Sequence, residues 1–549
     1  MTLFKILDGR PSLYVVVVVC LCAITYFYFR SQRAPNGLRR PPGPRGLPLI
    51  GNTLQLGPQP QKQLKAWADK YGEIMQVQIG WENWVYLNSP AVVKEIIDKQ
   101  SAITSSRAPM PVGNDIISGG MRFLFMGYTP TWRKLRAIVH KLLTPKVSDL
   151  YRPSQEFEAK QLLFDLLTDS ANQEDFYMHV RRYTTSVVLT STYGRRVPKW
   201  ESEDVREVYA LMKEFSEGTA PGAFLADLIP PLAKIPISLQ WWRPRALRYQ
   251  HRQVKIWTKY WNDLMVKMDT KSAPECFVKH FAETDYKKQD IGEVQAAFVA
   301  GTMIEAGSET TSSSLNSLIL YLAANPVIQA RAHDELDKVV GSSASPTFDH
   351  ENELPYIRAM VKEILRIRPV TNIGTPHYTT ADVTYKDFYI PKGTIVCIHT
   401  YALHMDASRY EAPYEFRPER YLNHPLKAGA YASHPDPYAR DHFAFGGGRR
   451  ICPGMHLAEN SLFITLAKIL WAFKIEPGLN VDGTQQVMDT SDDAYELGVN
   501  TLPKPFRARF IPRDERREEV VRDEWQKAKA DGFFLGSTKV DVGGMVAAS

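Results

Sequence analysis

The stretch Phe445-Gly446-Gly447-Gly448-Arg449-Arg450-Ile451-Cys452-Pro453-Gly454 places one cysteine directly after three glycines and two arginines. Glycines let the backbone bend and come close to a flat ligand. Cationic side chains and amide donors favour a thiolate over a thiol, and a thiolate is a soft ligand that suits iron. A glycine-rich turn around a buried, inert cysteine is the other interpretation of these residues.

The spacing within this stretch is more specific than its composition. Phe445, Gly448, Arg450, Cys452 and Gly454 match the haem-binding loop of cytochromes P450 at each defining position, so the chain resembles that family. The resemblance implies that Cys452 is the axial thiolate ligand of haem iron. It also implies that Phe445 belongs to the cofactor-binding loop and that Arg450 contacts a haem propionate.

Length and composition fit a large globular chain. Its 549 residues, 44% of them hydrophobic, exceed one average domain by length alone. The resemblance instead implies a single P450 catalytic domain, mainly α with small β-sheets. The net charge of +7 is modest, and no Lys/Arg-dense run interleaved with aromatic residues indicates a nucleic-acid partner.

The cysteines indicate neither a disulfide framework nor a zinc site, because their number is odd, their spacing is scattered and no CxxC pair occurs. Catalytic parts that face the cytosol fit this pattern. The five residues are Cys20, Cys22, Cys276, Cys397 and Cys452.

Residues 13–29 form an uncharged, mostly apolar run that predicts a transmembrane anchor. Arg30 and Arg33 follow it, which places residues 1–12 in the lumen and the rest of the chain in the cytosol. A cleaved signal peptide is the alternative, but the length of the run and the arginines after it argue against that interpretation. We therefore expect a single-pass protein of the endoplasmic reticulum membrane.

The remaining chain divides into three predicted parts. Residues 30–50 form a basic, proline-rich hinge. Residues 51–513 form the catalytic domain, and residues 514–549 form a charged C-terminal tail that we expect to be mobile.

Several local patterns inside the domain predict elements or loops. For residues 223–242, a buried helix–loop and a membrane-dipping access lid are equally compatible with the paired tryptophans. Predicted helices are 61–71, 90–100, 326–340, 355–366 and an amphipathic helix at 455–473; a hairpin is predicted at 75–87, and residues 105–125 are predicted to be a loop. The resemblance to cytochromes P450 further implies a last hairpin at 491–500.

Trp132 and Arg136 stand four residues apart in a helical stretch and so share one face. Taken alone, this pattern is typical of a surface helix with one tryptophan anchor. Upstream of the Cys452 loop it resembles the WxxxR element of P450s. There the Trp N–H and the Arg guanidinium meet a haem propionate, a contact that arginine favours.

A long helix is predicted over residues 291–324, with Asp290 and Glu293 as its cap. Its centre, Ala306-Gly307-Ser308-Glu309-Thr310-Thr311, is rich in poor helix formers. Close packing against a neighbour, room for a ligand, or a Thr hydroxyl bonded to the i−4 carbonyl would each explain this weak point.

The same six residues resemble the oxygen-binding motif of P450s. The resemblance implies that Ala306 and Gly307 make room for dioxygen, and that Glu309 and Thr310 form the acid–alcohol pair of a proton relay.

Further motifs follow in the order found in the family. Glu363, Arg366 and Arg420 resemble the structural triad that locks the haem-loop side of the fold. His377 matches a position that commonly supplies a basic propionate contact; a surface or core histidine is the alternative.

The resemblance implies a membrane-anchored haem-thiolate monooxygenase that inserts one oxygen atom from O2 into an apolar small molecule. Its cofactor would be haem b. No flavin- or nicotinamide-binding pattern occurs in the sequence, so electrons from NADPH would come through a partner NADPH–cytochrome P450 reductase, with cytochrome b5 as an optional second donor.

Pro376-His377-Tyr378-Thr379-Thr380 and the form of the oxygen motif are similar to filamentous-fungal P450s of secondary metabolism. We therefore expect a tailoring step on a secondary metabolite. A P450-fold isomerase or dehydratase that needs no O2, or a non-catalytic haem sensor, are the alternatives.

Overall fold

The computed structural model describes residues 34–35, 37–47, 50–80, 82–169, 173–220, 222–496, 498, 500–541 and 544–545. The anchor predicted at residues 13–29 lies outside the described residues, as do residues 1–12 and part of the hinge. None of the helices described is both long and apolar enough to cross a bilayer.

The structure is mainly helical, as the sequence predicts. In the first half the α-helices are α1 (Pro60–Tyr71), α2 (Pro90–Val93), α3 (Ser101–Thr104), α4 (Pro130–Leu142), α5 (Pro145–Asp149), α6 (Arg152–Thr168), α7 (Phe176–Tyr193), α8 (Glu203–Thr219), α9 (Leu225–Leu228), α10 (Arg243–Asp269) and α11 (Phe277–Ala282). In the second half they are α12 (Glu293–Ala324), α13 (Pro326–Val339), α14 (Pro355–Ile367), α15 (Thr400–His404), α16 (Ala428–Ala432), α17 (Met455–Ala472) and α18 (Glu515–Asp531).

The strands form small sheets. The largest has four strands in the order β1–β2–β6–β3; β10 pairs with β7, β4 with β5, β8 with β9, and β11 to β13 form a meander. The strands are β1 (Ile74–Ile79), β2 (Glu82–Leu87), β3 (His377–Tyr378), β4 (Val383–Tyr385), β5 (Phe388–Ile390), β6 (Ile395–Ile398), β7 (Phe473–Pro477), β8 (Tyr495–Glu496), β9 (Leu502–Pro503), β10 (Ala508–Pro512), β11 (Phe533–Leu535), β12 (Thr538–Asp541) and β13 (Gly544–Met545).

The predicted hairpin at 75–87 is confirmed. Strands β1 and β2 pair antiparallel with Ile74 opposite Leu87, and β2 then runs parallel to β6. The short strand β3 adds to the other edge of β6, with His377 opposite Val396. This sheet therefore fixes the backbone position of one predicted site residue.

Helix α12 runs through the centre of the molecule, and most of its 32 residues are buried. The predicted cap is wrong: the helix begins at Glu293, and its N-cap Gly292 makes no side-chain cap bond. Asp290 instead ends the preceding 3₁₀ turn in a left-handed conformation, with φ of 60°.

The largest core joins five helices. Leu162 of α6, Val180 of α7, Leu318 of α12, Ile364 of α14 and Leu466 of α17 are all buried in it. Helix α17 is buried around nearly its whole circumference. The helix predicted at 455–473 is therefore confirmed. Its predicted amphipathic character is wrong, because other helices surround α17 and leave no exposed face.

Two further elements differ from the predictions. The helix expected at 90–100 is α-helical only as far as Val93 and continues as a π-helix over Lys94–Lys99. The hairpin expected at 491–500 pairs Tyr495–Glu496 with Leu502–Pro503, so it lies a few residues later. Short strands carry too little periodicity to fix their register from sequence.

Residues 514–531 are ordered, and the expected mobile tail is wrong for this part. Asp514 caps α18 by accepting the Arg517 amide at 2.8 Å. Val521, Trp525 and Ala528 form a buried stripe at helical spacing, and the Trp525 ring lies 5.5 Å from that of Phe157 on α6. This stripe packs the helix onto the domain.

Residues 223–242 carry both buried and exposed apolar side chains, so the buried helix–loop fits part of the segment and the membrane-dipping lid stays a prediction. Trp242 is only 6% exposed and packs inward, whereas Ile237, Leu239 and Trp241 are 67%, 61% and 67% exposed. This segment thus presents an apolar outer surface above a buried inner one.

Candidate active site

The Cys452 loop is closed by backbone contacts. The Cys452 amide donates to the Phe445 carbonyl at 2.9 Å, and the Gly448 amide donates to Asp98 Oδ1 at 2.9 Å. Gly448 has a φ of 58°, and a Cβ there would lie 2.5 Å from the Ile97 carbonyl oxygen. Glycine is therefore required at position 448, both for the turn and for close packing.

Cys452 as a residue is half-buried at this turn. The surrounding protein desolvates it and thereby raises its pKa, while the Gly454 amide and the Arg136 charge act in the opposite direction. The protein alone therefore does not stabilise the thiolate. Coordination to a metal deprotonates a thiol outright, which would supply the missing stabilisation.

Arg450 leads away from the loop towards α4. Its guanidinium donates to the Ser105 and Met126 carbonyls at 2.8 and 2.6 Å and lies 3.8 Å from the centre of the Trp132 ring. Trp132 Nε1 donates to the Phe123 carbonyl at 3.3 Å. The tryptophan N–H thus already has a protein partner, and the indole supports Arg450 through its ring.

Arg136, also on α4, donates to the Ile451 carbonyl next to Cys452. Thr129 positions this helix: it accepts the Trp132 amide at 3.2 Å, and Pro130 occupies the first helical turn. The predicted sharing of a helix face by Trp132 and Arg136 is confirmed, and both point towards the Cys452 loop.

A third arginine joins this group, and the sequence analysis did not identify it. Arg107 is buried and donates to the Leu124 and Pro376 carbonyls. Within the described ranges, no carboxylate oxygen lies within 4.0 Å of the guanidinium groups of Arg107, Arg136 and Arg450. Burial and the other two arginines lower the pKa of Arg450 to about 8.

His377 is buried beside the same arginines. Its Nδ1 lies 2.9 Å from the Thr104 carbonyl, and since a carbonyl only accepts, Nδ1 carries the proton. Burial and the charges of Arg107 and Arg450 lower the pKa of His377 to about 3. The ring is therefore neutral, and its Nε2 can accept a hydrogen bond.

On α12, Ala306 is exposed although Ile304, Glu305 and Ser308 around it are buried. The helix therefore borders an open space at this turn. The Thr310 hydroxyl donates to the Ala306 carbonyl at 2.6 Å, which is the i−4 bond anticipated from the sequence.

Gly307 packs closely against a neighbouring helix. A Cβ at Gly307 would lie 2.6 Å from Cγ2 of Val188 on α7. Close packing of α7 on α12 is therefore sufficient to explain the glycine, and the room for dioxygen that the resemblance implies stays a prediction.

Glu309 and Thr310 do not bond to each other in this arrangement. The Glu309 carboxylate accepts from the Asn500 amide, which follows strand β8. Asn500 is a site contact that the sequence analysis did not predict, because no pattern links it to α12.

The structural triad forms as the sequence predicts. Arg366 binds both oxygens of Glu363 at 2.7 Å, and Arg420 Nε lies 3.3 Å from Glu363 Oε1. Glu363 and Arg366 are fully buried. The triad joins α14 to the segment that leads to the Cys452 loop.

Comparison with known proteins decides the family. The family profile "Cytochrome P450" matches residues 41–504. The chain belongs to the cytochrome P450 family. Its relatives match nearly the full length of the chain. Cytochrome P450 monooxygenase pgmC of Aspergillus terreus is 43% identical to this chain over 538 residues, and the alignment covers 98% of this chain and 97% of pgmC.

Two more fungal relatives agree with this result. Cytochrome P450 monooxygenase verL of Clonostachys rogersoniana is 40% identical, with 93% of this chain and 94% of that one covered. Cytochrome P450 monooxygenase virE of Hypocrea virens is 34% identical, with 93% and 92% covered. The protein is thus a cytochrome P450 monooxygenase, homologous to P450 monooxygenases of fungi.

Membership of the P450 family implies a haem-thiolate cofactor and, typically, a reductase partner. The residues of this chain fit such a cofactor. Three arginines without a carboxylate partner among the described residues would match an anionic group, Cys452 offers a thiolate, and Ala306 borders an open space.

Proposed function

We propose that this P450 is a haem-thiolate monooxygenase in which the Cys452 thiolate would hold the iron of haem b. The uncompensated group of Arg107, Arg136 and Arg450 beside Cys452 is the observation that carries the proposal. When bound, the haem supplies O2 activation and insertion of one oxygen atom into the substrate. The protein supplies charge, orientation and protons.

The arginines hold the haem propionates. Arg450 is the principal contact, since it is fixed by two carbonyls and by the Trp132 ring and has no carboxylate partner within the described part of the chain. Arg136 adds positive charge next to Cys452. Neutral His377 cannot donate from Nε2, so it contributes to the shape of the site and binds a propionate directly only when that nitrogen is protonated.

Glu309 and Thr310 form the proton-transfer pair on the part of α12 that borders the open space. Asn500 orients the Glu309 carboxylate, and the Thr310 hydroxyl lies one turn after Ala306. Rotation of the Thr310 side chain releases its hydroxyl from the Ala306 carbonyl and turns it towards the open space. A proton could then pass from Glu309 to that hydroxyl while the hydroxyl gives its own proton to the acceptor in the open space.

Electrons come from NADPH through a cytochrome P450 reductase, with cytochrome b5 as an optional second donor. The surface beside the Cys452 loop carries Lys94 and the exposed Arg449, which suit an acidic partner.

We place the enzyme on the endoplasmic reticulum membrane, with the catalytic domain in the cytosol. Residues 13–29 are the proposed anchor. The exposed apolar side chains of Ile237, Leu239 and Trp241 support a second contact with lipid.

The proposed reaction is a tailoring step in fungal secondary metabolism. This follows from the homology to pgmC, verL and virE together with the form of the oxygen motif.

Co-expression with a fungal reductase and extracts of candidate metabolites test the function. We expect product formation that needs both NADPH and O2, a thiolate-type reduced CO spectrum, and loss of that spectrum in Cys452→Ala. Product formed without NADPH or reductase would contradict a monooxygenase and favour an isomerase or dehydratase. A thiolate-type spectrum without any turnover would favour a haem sensor.

A further inference from the structure

Arg122 lies in the loop between α3 and α4, is buried, and joins three parts of the chain. It donates to Glu305 Oε2 on α12, to Gln253 Oε1 on α10 at 2.8 Å and, through Nε, to Ser118 Oγ at 3.2 Å. The ring of Phe215 on α8 covers the guanidinium at 3.8 Å. The cation is therefore fixed, and its donors are largely used.

Glu305 and Gln253 each bind Arg122 through one side-chain atom, and the second polar atom of each side chain has no hydrogen-bond partner among the described residues. Glu305 Oε1 and Gln253 Nε2 are buried, and neither has a hydrogen-bond partner among the residues that the structure describes. Glu305 is 8% exposed and Gln253 is fully buried. Buried polar atoms are nearly always paired, so two unpaired atoms in one cluster point to a missing partner.

These two atoms have complementary roles. The carboxylate oxygen of Glu305 accepts a hydrogen bond, and the amide nitrogen of Gln253 donates one. Glu305 and Gln253 bind different nitrogens of the same guanidinium, so the free acceptor and the free donor belong to one cluster. A neutral group that both donates and accepts, such as a hydroxyl, matches the pair. An anionic group does not, since it would meet the Glu305 carboxylate.

The cluster contacts α12 at the turn that also carries the exposed Ala306. Glu305 directly precedes the exposed Ala306 and stands one turn before Glu309, whose charge acts on it. The carboxylate of Glu305 therefore starts from the same turn of α12 as the exposed Ala306.

We propose that Glu305 and Gln253, held by Arg122, form a polar recess that binds a hydroxyl-type group of the substrate and so selects which carbon faces the haem. The proposal rests on the monooxygenase function above and refines its substrate. The substrate is a largely apolar molecule that carries at least one hydroxyl or comparable neutral donor–acceptor group. Glu305 and Gln253 are specificity-determining residues, and Arg122 positions them.

The opposing explanation is a purely structural ion pair. Arg122 and Glu305 would then hold the loop to α12, and any ligand preference would be independent of them. Buried ion pairs of this kind are often replaceable by apolar residues of similar size without loss of stability. A double replacement therefore separates the two explanations.

The test uses the full-length, haem-loaded protein and four probes: 4-phenylimidazole and its 2-, 3- and 4-hydroxyphenyl analogues. The imidazole nitrogen binds the iron, which shifts the haem absorption band and reports the dissociation constant. We expect at least one hydroxyl isomer to bind the wild type about tenfold more tightly than the parent, as one hydrogen bond to a charged group allows.

Two variants remove the recess. Arg122→Leu/Glu305→Leu removes both charges together. Gln253→Leu removes the free donor and leaves the ion pair of Arg122 and Glu305 intact. Each should bind 4-phenylimidazole about as well as the wild type and should lose the preference for the hydroxyl isomer. Glu293→Gln, an exposed change at the start of the same helix, should keep it.

The outcomes are distinct. Equal binding of all four probes by the wild type, or a preference that survives in both variants, would overturn the recess. If the double variant takes up no haem, Gln253→Leu alone decides the question. Absence of any imidazole shift and of a thiolate-type CO spectrum in the wild type would instead overturn the proposed function, and the recess with it.

Discussion

The guanidinium of Arg450 lies 3.8 Å from the centre of the Trp132 ring, and this contact joins the Cys452 loop to α4. Phe123 also stacks on this indole, with ring centres 5.6 Å apart. The principal cation of the proposed propionate site is therefore held by two stacked rings that come from two separate segments. A cation fixed in this way binds an anion with little loss of side-chain freedom.

Arg450→Leu should weaken haem retention about tenfold, because it removes one charge-assisted contact to a propionate. The neighbouring Arg449 is exposed and contacts Tyr128, so Arg449→Leu is the matched control and should retain haem normally. Haem content per protein, followed during dilution with apomyoglobin as acceptor, measures both. Equal retention in the two variants would contradict the assignment of Arg450.

Glu363→Ala should lower the free energy of unfolding by about 3–5 kcal/mol, because it strands the buried Arg366 charge. Denaturant unfolding followed by circular dichroism measures this loss. Glu519→Ala, which breaks an exposed pair with Arg516, should cost no more than about 1 kcal/mol. Similar losses of unfolding free energy in both variants would show that the Glu363 triad does not stabilise the fold as predicted.

Glu524→Ala should destabilise the domain, because it removes the carboxylate that offsets a buried lysine. Lys468 of α17 is fully buried and donates to Ser345, whose amide and hydroxyl bind Glu524 at 2.8 and 2.5 Å. Burial lowers the pKa of Lys468 to about 8. We expect a loss of about 3 kcal/mol at pH 7, measured by denaturant unfolding.

The double variant Lys468→Met/Glu524→Ala should recover most of this stability, since no charge is then stranded. A double variant as unstable as Glu524→Ala alone would show that α18 acts only through the packing of Trp525 and its neighbours.

Acid should destabilise the protein through buried neutral histidines. Burial and the Lys65 charge lower the pKa of His399 to about 3, whereas the unfolded chain binds this proton near pH 6.5. Between these values the unfolded state holds more protons, so stability falls as pH falls. The His399 contribution should reach about 2 kcal/mol by pH 5.

His399→Gln should therefore have a smaller stability difference between pH 7 and pH 5 than the wild type, while its amide can still bond to Asn88. The exposed His434→Gln is the control and should leave the difference unchanged. Denaturant midpoints at the two pH values measure the effect, and an equal pH response in all three proteins would refute it.

Gly307→Ala should cost about 1–3 kcal/mol, because the new methyl group would overlap Val188 of α7. Adding Val188→Ala should restore most of the loss by making room for it. Thermal unfolding of both variants measures the effect. A destabilised double variant would show that Gly307 is needed for a reason other than this contact.

Features carried by a few neighbouring residues were predictable. The Cys452 loop, the shared face of Trp132 and Arg136, the long helix and the Glu363–Arg366 pair each depend on spacing within about ten residues. Helical periodicity and turn-forming glycines act over such distances, so the sequence displays them directly. The helix at α12 was predicted to within two residues at its start, and only its cap was wrong.

Features that depend on distant neighbours were not predictable. Four interactions join residues that lie far apart in the chain: Gly307 with Val188, Glu309 with Asn500, Arg107 with Arg450, and buried Lys468 with Ser345. Short strands and loops carry no periodic signal, so their contacts depend on how the helices pack.

The sequence by itself therefore determined the family resemblance, the cysteine expected to bind iron and the order of the motifs around it, because each is a local pattern of residue types. Only the tertiary structure decided which charges lack a partner within the described residues, which glycine serves packing, and where Arg122, Glu305 and Gln253 leave a donor and an acceptor free. Burial and pairing of polar groups are properties of the packed chain, and no single segment encodes them.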